Sequence, residues 1–252
     1  SVDEPLAAFF PEHAQGPQAA ALQRVTLRHL LTLSPGFDRR GLDANTDYPD
    51  FVQRFFSPGL LAHAIGRPLV DEPGSRFYYS NIDSHLVAEA LARRVKMPLA
   101  AFAQAELFKP LGIEGAEWPT GQDGVPNGAA ELRLTAPDLL RIGQLVRAGG
   151  LWQGRQLVPT AFVKEATSRK IDTGQPARGP KELWGYGYLW WLSSTPGDNL
   201  PAFYAAGYGG QFIYVVPALD LVVVALTDQV SREVAGRTAL LIRDFALPTV
   251  AR

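Results

Sequence analysis

The last third of the 252-residue chain sets the tightest limit on what it can fold into. Gln211 to Val216 and Leu221 to Thr227 are two β-rich runs joined only by Pro217-Ala218-Leu219-Asp220, a connection that suits a hairpin of antiparallel neighbours. Just upstream, Trp184-Gly185-Tyr186-Gly187-Tyr188-Leu189-Trp190-Trp191 is aromatic and glycine-rich in the manner of strands near a sheet edge. A sheet therefore begins near residue 184, and Arg232 to Phe245 reads as a helix that closes the chain.

The residues before that sheet read as largely helical. After an irregular, proline-punctuated stretch over 1–24, Thr26-Leu27-Arg28-His29-Leu30-Leu31-Thr32-Leu33 gives a short apolar helix stopped by Ser34-Pro35-Gly36. From Asp83 onward, Leu86, Val87, Ala90, Leu91 and Val95 fall at helical spacing. Pro98 to Leu107 suggests another helix, closed by Lys109-Pro110-Leu111-Gly112. Thr135 before Pro137-Asp138 looks like a helix start, with Gly149-Gly150 at the end.

Composition narrows the function classes. Lys and Arg total 24 against 25 Asp and Glu, a net charge of -1, so no overall field draws the chain to nucleic acid or an anionic membrane. With no cysteine, disulfides, thiolate metal sites and a cysteine nucleophile are excluded. The longest apolar candidate, Leu219 to Leu226, has strand length and falls short of the roughly 18 residues of a membrane helix. Ser1-Val2-Asp3-Glu4-Pro5 shows no basic region followed by an apolar stretch, so no signal peptide is visible, and the compartment stays open. No Gly/Ser-rich or charged linker divides the sequence, and one domain over residues 1–252 is expected.

The richest motif is Pro73-Gly74-Ser75-Arg76-Phe77-Tyr78-Tyr79-Ser80-Asn81, a turn that leads through an aromatic run into the helix at Asp83. It resembles the Tyr-x-Asn motif of class C β-lactamases and penicillin-binding proteins, together with their esterase, carboxypeptidase and 6-aminohexanoate-dimer hydrolase relatives. Further resemblances run in the same order: Ser1 to Pro11, Thr26 to Gly36, Leu107-Phe108-Lys109-Pro110-Leu111-Gly112-Ile113, Tyr186 to Trp191, and Gly207-Tyr208-Gly209-Gly210-Gln211. Collinear matches over nearly the whole chain carry more weight than any one of them. The resemblance implies an α/β fold of the α+β type, an antiparallel sheet flanked by helices with an inserted helical region.

It also implies a chemistry. In such enzymes a Ser-x-x-Lys serine attacks a carbonyl, becomes acylated and is later freed by water. Lysine and the motif tyrosine, here Tyr79, handle the serine proton. A phenol with a reference pKa near 10 needs a nearby ammonium or a concerted relay to do so. Asn81, whose amide both donates and accepts, would hold the lysine and the substrate amide. The blander alternatives are a core tyrosine with a bonded hydroxyl and an asparagine that caps a helix.

Two departures matter. The family's third motif, Lys-Thr-Gly or His-x-Gly, is matched by Ala205-Ala206-Gly207, which lacks a cation for a substrate carboxylate. This favours an uncharged ester or amide over a β-lactam or a D-Ala-D-Ala peptide. The Tyr208 N–H is the candidate oxyanion donor, with Gly207 allowing close backbone approach. The alternative for these glycines is plain relief of crowding. The second departure is larger, because no serine of the chain is followed three residues later by lysine. The nucleophile is not in this chain, and in the family its motif lies upstream of the segment that resembles Ser1 to Pro11. Either the sequence is a portion of a longer polypeptide, the preferred explanation, or it is a degenerate member. As given it is expected to be inactive, the rest being supplied by the missing N-terminal segment, in the same polypeptide or as a separate chain.

Remaining constellations are weaker. His13, His29, His63 and His85 show neither metal-ligand spacing nor an accompanying carboxylate cluster, so no metal and no cofactor is expected. Ser34-Pro35-Gly36-Phe37 lacks a Gly-x-Ser-x-Gly frame and reads as a turn. Trp184, Tyr186, Trp190 and Trp191 suit core and sheet packing before a substrate cleft. The expected partner is a small ester or amide substrate, with no nucleic acid and no membrane segment; the rival is a catalytically dead ligand-binding or structural module of the same fold.

Overall fold

The computed structural model describes residues 1–39, 55, 57–174, 181–227 and 232–250. Ser231, one of the serines considered above, lies outside them. The contacts cluster into two compact units, Ser1–Phe108 with Ala116–Arg133, and Lys109–Gly115 with Leu134–Arg252. Among the described residues no helix is long and apolar enough to cross a membrane.

The first unit is helical. It contains α1 (Ala19–Arg24), α2 (Leu27–Leu31), α3 (Leu60–Gly66), α4 (Asn81–Val95) and α5 (Leu99–Ala103), the last continuing into a π-helical turn over Gln104–Phe108. Helix α4 organises the unit because it is buried on two sides. Ile82, Leu86 and Ala90, four residues apart, pack into a core with Leu6, Phe10, Leu22 and Leu30. Ala88, on another side, packs with Leu99 and Val125. Each fully buried leucine of this set contributes about 2 kcal/mol relative to exposure.

The start of α4 is fixed by polar contacts. Ser80, not Asn81, is the N-cap, and its Oγ accepts a hydrogen bond from the Asp83 N–H at 3.1 Å. Asn81 is the first helical residue. Asp83, expected as a helix-start residue, also accepts a 2.5 Å bond from Arg67 Nη2, with both side chains about 95% buried. Arg67 in turn donates through Nε to Ala64 O at 2.8 Å and lies over the Phe37 ring. The pair thus ties the end of α3 to the first turn of α4. Lys96, in the left-handed conformation at φ 55°, ends the helix.

The second unit is built on a sheet. Helix α6 (Ala136–Arg147) opens at Thr135, where a helix start was expected, with a capping box in which the Thr135 N–H donates to Asp138 Oδ2 while Thr135 Oγ1 accepts from the Asp138 N–H. A two-stranded ribbon, β1 (Leu151–Trp152) and β2 (Arg155–Gln156), and helix α7 (Thr160–Ala166) follow. The main sheet has the order β3 (Gly185–Tyr186), β4 (Trp191–Ser194), β5 (Pro201–Gly207), β6 (Gln211–Val216), β7 (Leu221–Ala225), antiparallel throughout. Helix α8 (Arg232–Leu241) runs on into a π-helical turn, Ile242–Ala246.

Strand alternation sends alternate residues to opposite faces, and both are covered. Leu192, Phe203, Ile213 and Val215 pack against Leu139, Ile142 and Val146 of α6. Phe212, Tyr214 and Val216 pack on the other face with Ile242 and Leu247. The expected antiparallel sheet flanked by helices is therefore the observed fold. The approach of α6 is close: a Cβ on Gly143 would lie 2.5 Å from Val222 Cγ1 and 2.9 Å from Ile213 Cγ2.

Two stability outcomes follow. Gly143→Leu should destabilise the chain by about 2–3 kcal/mol through overpacking at the α6–sheet contact, read as a shift of the urea midpoint at unchanged m. Arg67→Ala should cost about 3–5 kcal/mol by stranding the buried Asp83 carboxylate, whereas Arg67→Met combined with Asp83→Leu should recover most of that loss. A double variant no more stable than Arg67→Ala would show that packing, and not the stranded charge, sets the cost.

Candidate active site

The Tyr79-Ser80-Asn81 run is held extended by its neighbours. Gly74, at φ 83°, makes the turn that the sequence placed there and donates its N–H to Ser34 O at 2.8 Å; Tyr78 N donates to Leu33 O, also at 2.8 Å. In an extended segment successive side chains point to opposite sides. Tyr78 carries the Arg39 guanidinium 4.3 Å over its ring, and Tyr78 and Ser80 line a small cavity with Arg39, Arg67, Arg76 and Asp83. Tyr79 precedes the Ser80 cap and Asn81 begins α4. Asn81 is 7% exposed and Tyr79 half-buried. Burial pushes the Tyr79 phenol above its ordinary value near 10, because a desolvated phenolate is disfavoured. At neutral pH Tyr79 is thus a phenol.

Gly207 and Tyr208 lie in the other unit, at the turn between β5 and β6. Gly207 pairs with Gln211, and the Gly210 N–H closes the turn on Gly207 O at 3.1 Å. Gly209 and Gly210 have φ of 97° and 100°, a conformation that side chains with a Cβ rarely adopt. Thr227 Oγ1 donates to Gly209 O, and Gln211 Nε2 donates to Thr227 O at 3.0 Å. The turn is therefore tied to the segment after β7. Tyr208 is 45% exposed. Ala205, at the place of the family's cation, packs with the apolar cluster of Leu192, Phe203 and Ile213.

The aromatic residues after position 184 do what the sequence suggested first. Tyr186 meets Trp191 edge-on, Trp191 stacks on Tyr204, Tyr204 stacks on Tyr214, and Trp190 meets Phe203 edge-on. Burial, with Tyr214 alongside, pushes the Tyr204 phenol up to about 12. Ser34 is buried within 2.7 Å of the Thr32 hydroxyl, in the turn expected there.

The expectation that no histidine has carboxylate company needs correction. His85 is fully buried, and its Nε2 lies 3.6 Å from Oε1 of Glu89, one helical turn later. Asp123 joins them from the turn at Gly121–Val125, so that ligand-type atoms of all three lie within 4.8 Å of one another. The His85-x-x-x-Glu89 spacing on one helix face was the available signal; Asp123 came only with the tertiary structure. His29, by contrast, accepts from the Thr26 N–H at 3.1 Å and so caps α2.

The chain shares its fold with several solved proteins. Its fold is similar to a 6-aminohexanoate-dimer hydrolase candidate from Bacillus anthracis, at 19% identity and a TM-score of 0.74 over 100% of this chain and 68% of that one. EstCE1, a hydrolase with promiscuous acyltransferase activity, matches at 20% identity and 0.72, over 97% and 77%. The octameric penicillin-binding protein homologue from Pyrococcus abyssi matches at 18% and 0.73, over 98% and 60%. The chain thus spans only part of the length of each. No curated protein matches it. The family model named Beta-lactamase matches residues 1–247, nearly the whole chain, and the protein belongs to that family.

Proposed function

We propose that this chain supplies the proton-relay and oxyanion portions of a metal-free serine hydrolase that works through an acyl-enzyme on a small, uncharged ester or amide. Family membership supports a hydrolase of the serine type in general. The single observation that carries the finer proposal is the Tyr79-Ser80-Asn81 run, pinned by the Ser80 cap at the start of α4 with Asn81 buried in its first turn. In the proposed reaction a serine hydroxyl, absent from this sequence, attacks the substrate carbonyl and hands its proton toward Tyr79. The carbonyl oxygen takes up negative charge, which the Tyr208 N–H stabilises, and the C–O or C–N bond to the leaving group breaks as that group is protonated. Water then attacks the acyl-enzyme by the reverse relay.

The substrate class follows from Ala205. Its side chain packs among apolar residues, so this position offers no ammonium or imidazolium to a substrate carboxylate. A neutral acyl group fits better than a β-lactam or a D-Ala-D-Ala terminus. The proposed whole is a single catalytic domain that also includes a Ser-x-x-Lys segment. β7 pairs on one side only among the described residues, and its open, valine-rich edge would be satisfied by a further strand.

A second proposal, a catalytically dead binding module, is favoured by two observations: the absence of Ser-x-x-Lys from all 252 residues and the upward shift of Tyr79. A fluorophosphonate probe separates the two. The chain alone should not label, and the full reading frame should label at an upstream serine; no labelling of the well-folded full-length protein would reject the enzyme. In that full-length protein Tyr79→Phe should lower ester hydrolysis by roughly 10²–10⁴-fold, as for other general acid–base groups, and a change under about threefold would remove Tyr79 from the relay.

A further inference from the structure

The His85, Glu89 and Asp123 side chains have no part in the proposed hydrolysis, yet they form the most unusual polar group of the first unit. His85 and Glu89 are 0% and 3% exposed. His85 Nε2 and Glu89 Oε1 have no hydrogen-bond partner within normal distance among the described residues. Two buried polar atoms left unsatisfied on the body of a helix are costly unless something else holds them.

A metal ion is the first candidate, and the tautomer of His85 argues against it. The Gly128 N–H donates to His85 Nδ1 at 3.3 Å. An imidazole that accepts at Nδ1 carries its proton on Nε2. Nε2 is the nitrogen that faces Glu89, so no lone pair is directed at the carboxylates. Metal-bound histidines have the reverse arrangement, with the second nitrogen donating outward.

A proton fits where a metal does not. Burial raises the Glu89 pKa above the ordinary carboxylate value, His85 opposes that rise, and the Asp123 carboxyl, in hydrogen-bond contact, adds to it. Arg93, the remaining charge nearby, has its Nε 4.0 Å from Glu89 Oε2 and no partner there, while its Nη1 is engaged by Glu12 at 2.5 Å. Two adjacent carboxyl groups cannot both ionise cheaply when one is buried. Asp123 is exposed and can turn to water. It sits on a tight turn closed by Gly121 N to Val125 O at 2.9 Å, and its Oδ1 accepts from the Val125 N–H at 3.0 Å.

We propose that Glu89 and Asp123 form a proton-dependent latch, in which the neutral Glu89 carboxyl donates its proton in a hydrogen bond to the Asp123 carboxylate and holds the 121–125 turn against helix α4. His85 Nε2–H faces the other Glu89 oxygen and orients the group. When the proton is lost to solvent, two anions face each other, Asp123 rotates outward and the turn loosens. Val125 leaves its packing on Ala88 and Leu99, so the body of α4, which begins at Asn81 with Tyr79 just before its cap, loses one of its two supports.

The sign of the pH effect is fixed. The folded chain keeps a proton that the unfolded chain releases near pH 4.5, so stability falls as pH rises from there to the folded pKa of Glu89. Hydrogen exchange of the 119–127 segment, corrected for intrinsic base catalysis, reads the latch directly. As pH rises above the ordinary carboxylate range and through the folded pKa of Glu89, the wild-type chain should lose protection by about tenfold or more, while Glu89→Gln, whose amide donates at any pH, should stay within about twofold. Asp123→Asn, at an exposed position that leaves folding intact, should also flatten the profile. A flat wild-type profile, or either variant tracking the wild type, would overturn the latch. Saturable one-to-one zinc binding abolished by Asp123→Asn would overturn it too, by making the cluster a metal site.

Discussion

Arg67 and Asp83 face each other at 2.5 Å with hardly any water around either, and the arrangement of the first unit turns on that contact. Taking two charges out of water costs several kcal/mol per ion, which the attraction between them only roughly offsets. The pair therefore adds little net stability over an apolar pair of the same shape. What it adds is position. Arg67 reaches Asp83 only if the end of α3 and the first turn of α4 lie together, with the Arg67 Nε on Ala64 O. Ser80 caps the same turn from the other direction. The start of α4 is thus specified by one neutral and one charged contact, and the Tyr79-Ser80-Asn81 run inherits its geometry from both.

The second unit solves its problem by coverage and not by charge. A sheet whose two faces are both apolar needs a helix on each, and α6 and the Ile242–Leu247 segment supply them. Gly143 lets α6 approach closely, and the Arg147–Asp220 ion pair joins the end of that helix to the β6–β7 connection. The aromatic ladder from Tyr186 through Trp191 and Tyr204 to Tyr214 crosses four strands in register. It explains why this stretch of sequence is so rich in large rings without any need for a ligand.

How much of this was legible in the sequence depends on range. The hairpin of the 211–216 and 221–227 runs, the helix start at Thr135 and the helix that follows the Tyr-Ser-Asn run are local events, encoded by turn residues, caps and spacing within a few positions, and all three stand close to where the sequence put them. Helix α3 and the small β1–β2 ribbon were not foreseen, because neither carries a strong period of its own; both are held by what they pack against. Helix α1 was hidden in a stretch that looked irregular for its prolines. At the site, Tyr79 and Asn81 were named from a motif, and the helix cap, offered there only as the alternative role for Asn81, belongs to Ser80. The Asp83 partner and the Glu89–Asp123 contact join residues 16 and 34 positions apart, and no local pattern encodes such a pairing.

Tyr79 shows what the two halves of the chemistry demand of each other. Its phenol is pushed upward by burial alone, with no cation among the causes. A base working near neutral pH needs the opposite shift or a concerted relay, and a nearby ammonium can supply that shift against desolvation. The lysine of a Ser-x-x-Lys pair would do two things at once: it would stand next to the nucleophile, and it would lower the Tyr79 pKa to where the phenol can exchange a proton. Nucleophile and base activation are then a single electrostatic event. Under the proposed mechanism a serine beside Tyr79 alone would find no proton acceptor of suitable pKa, so serine and lysine are required together.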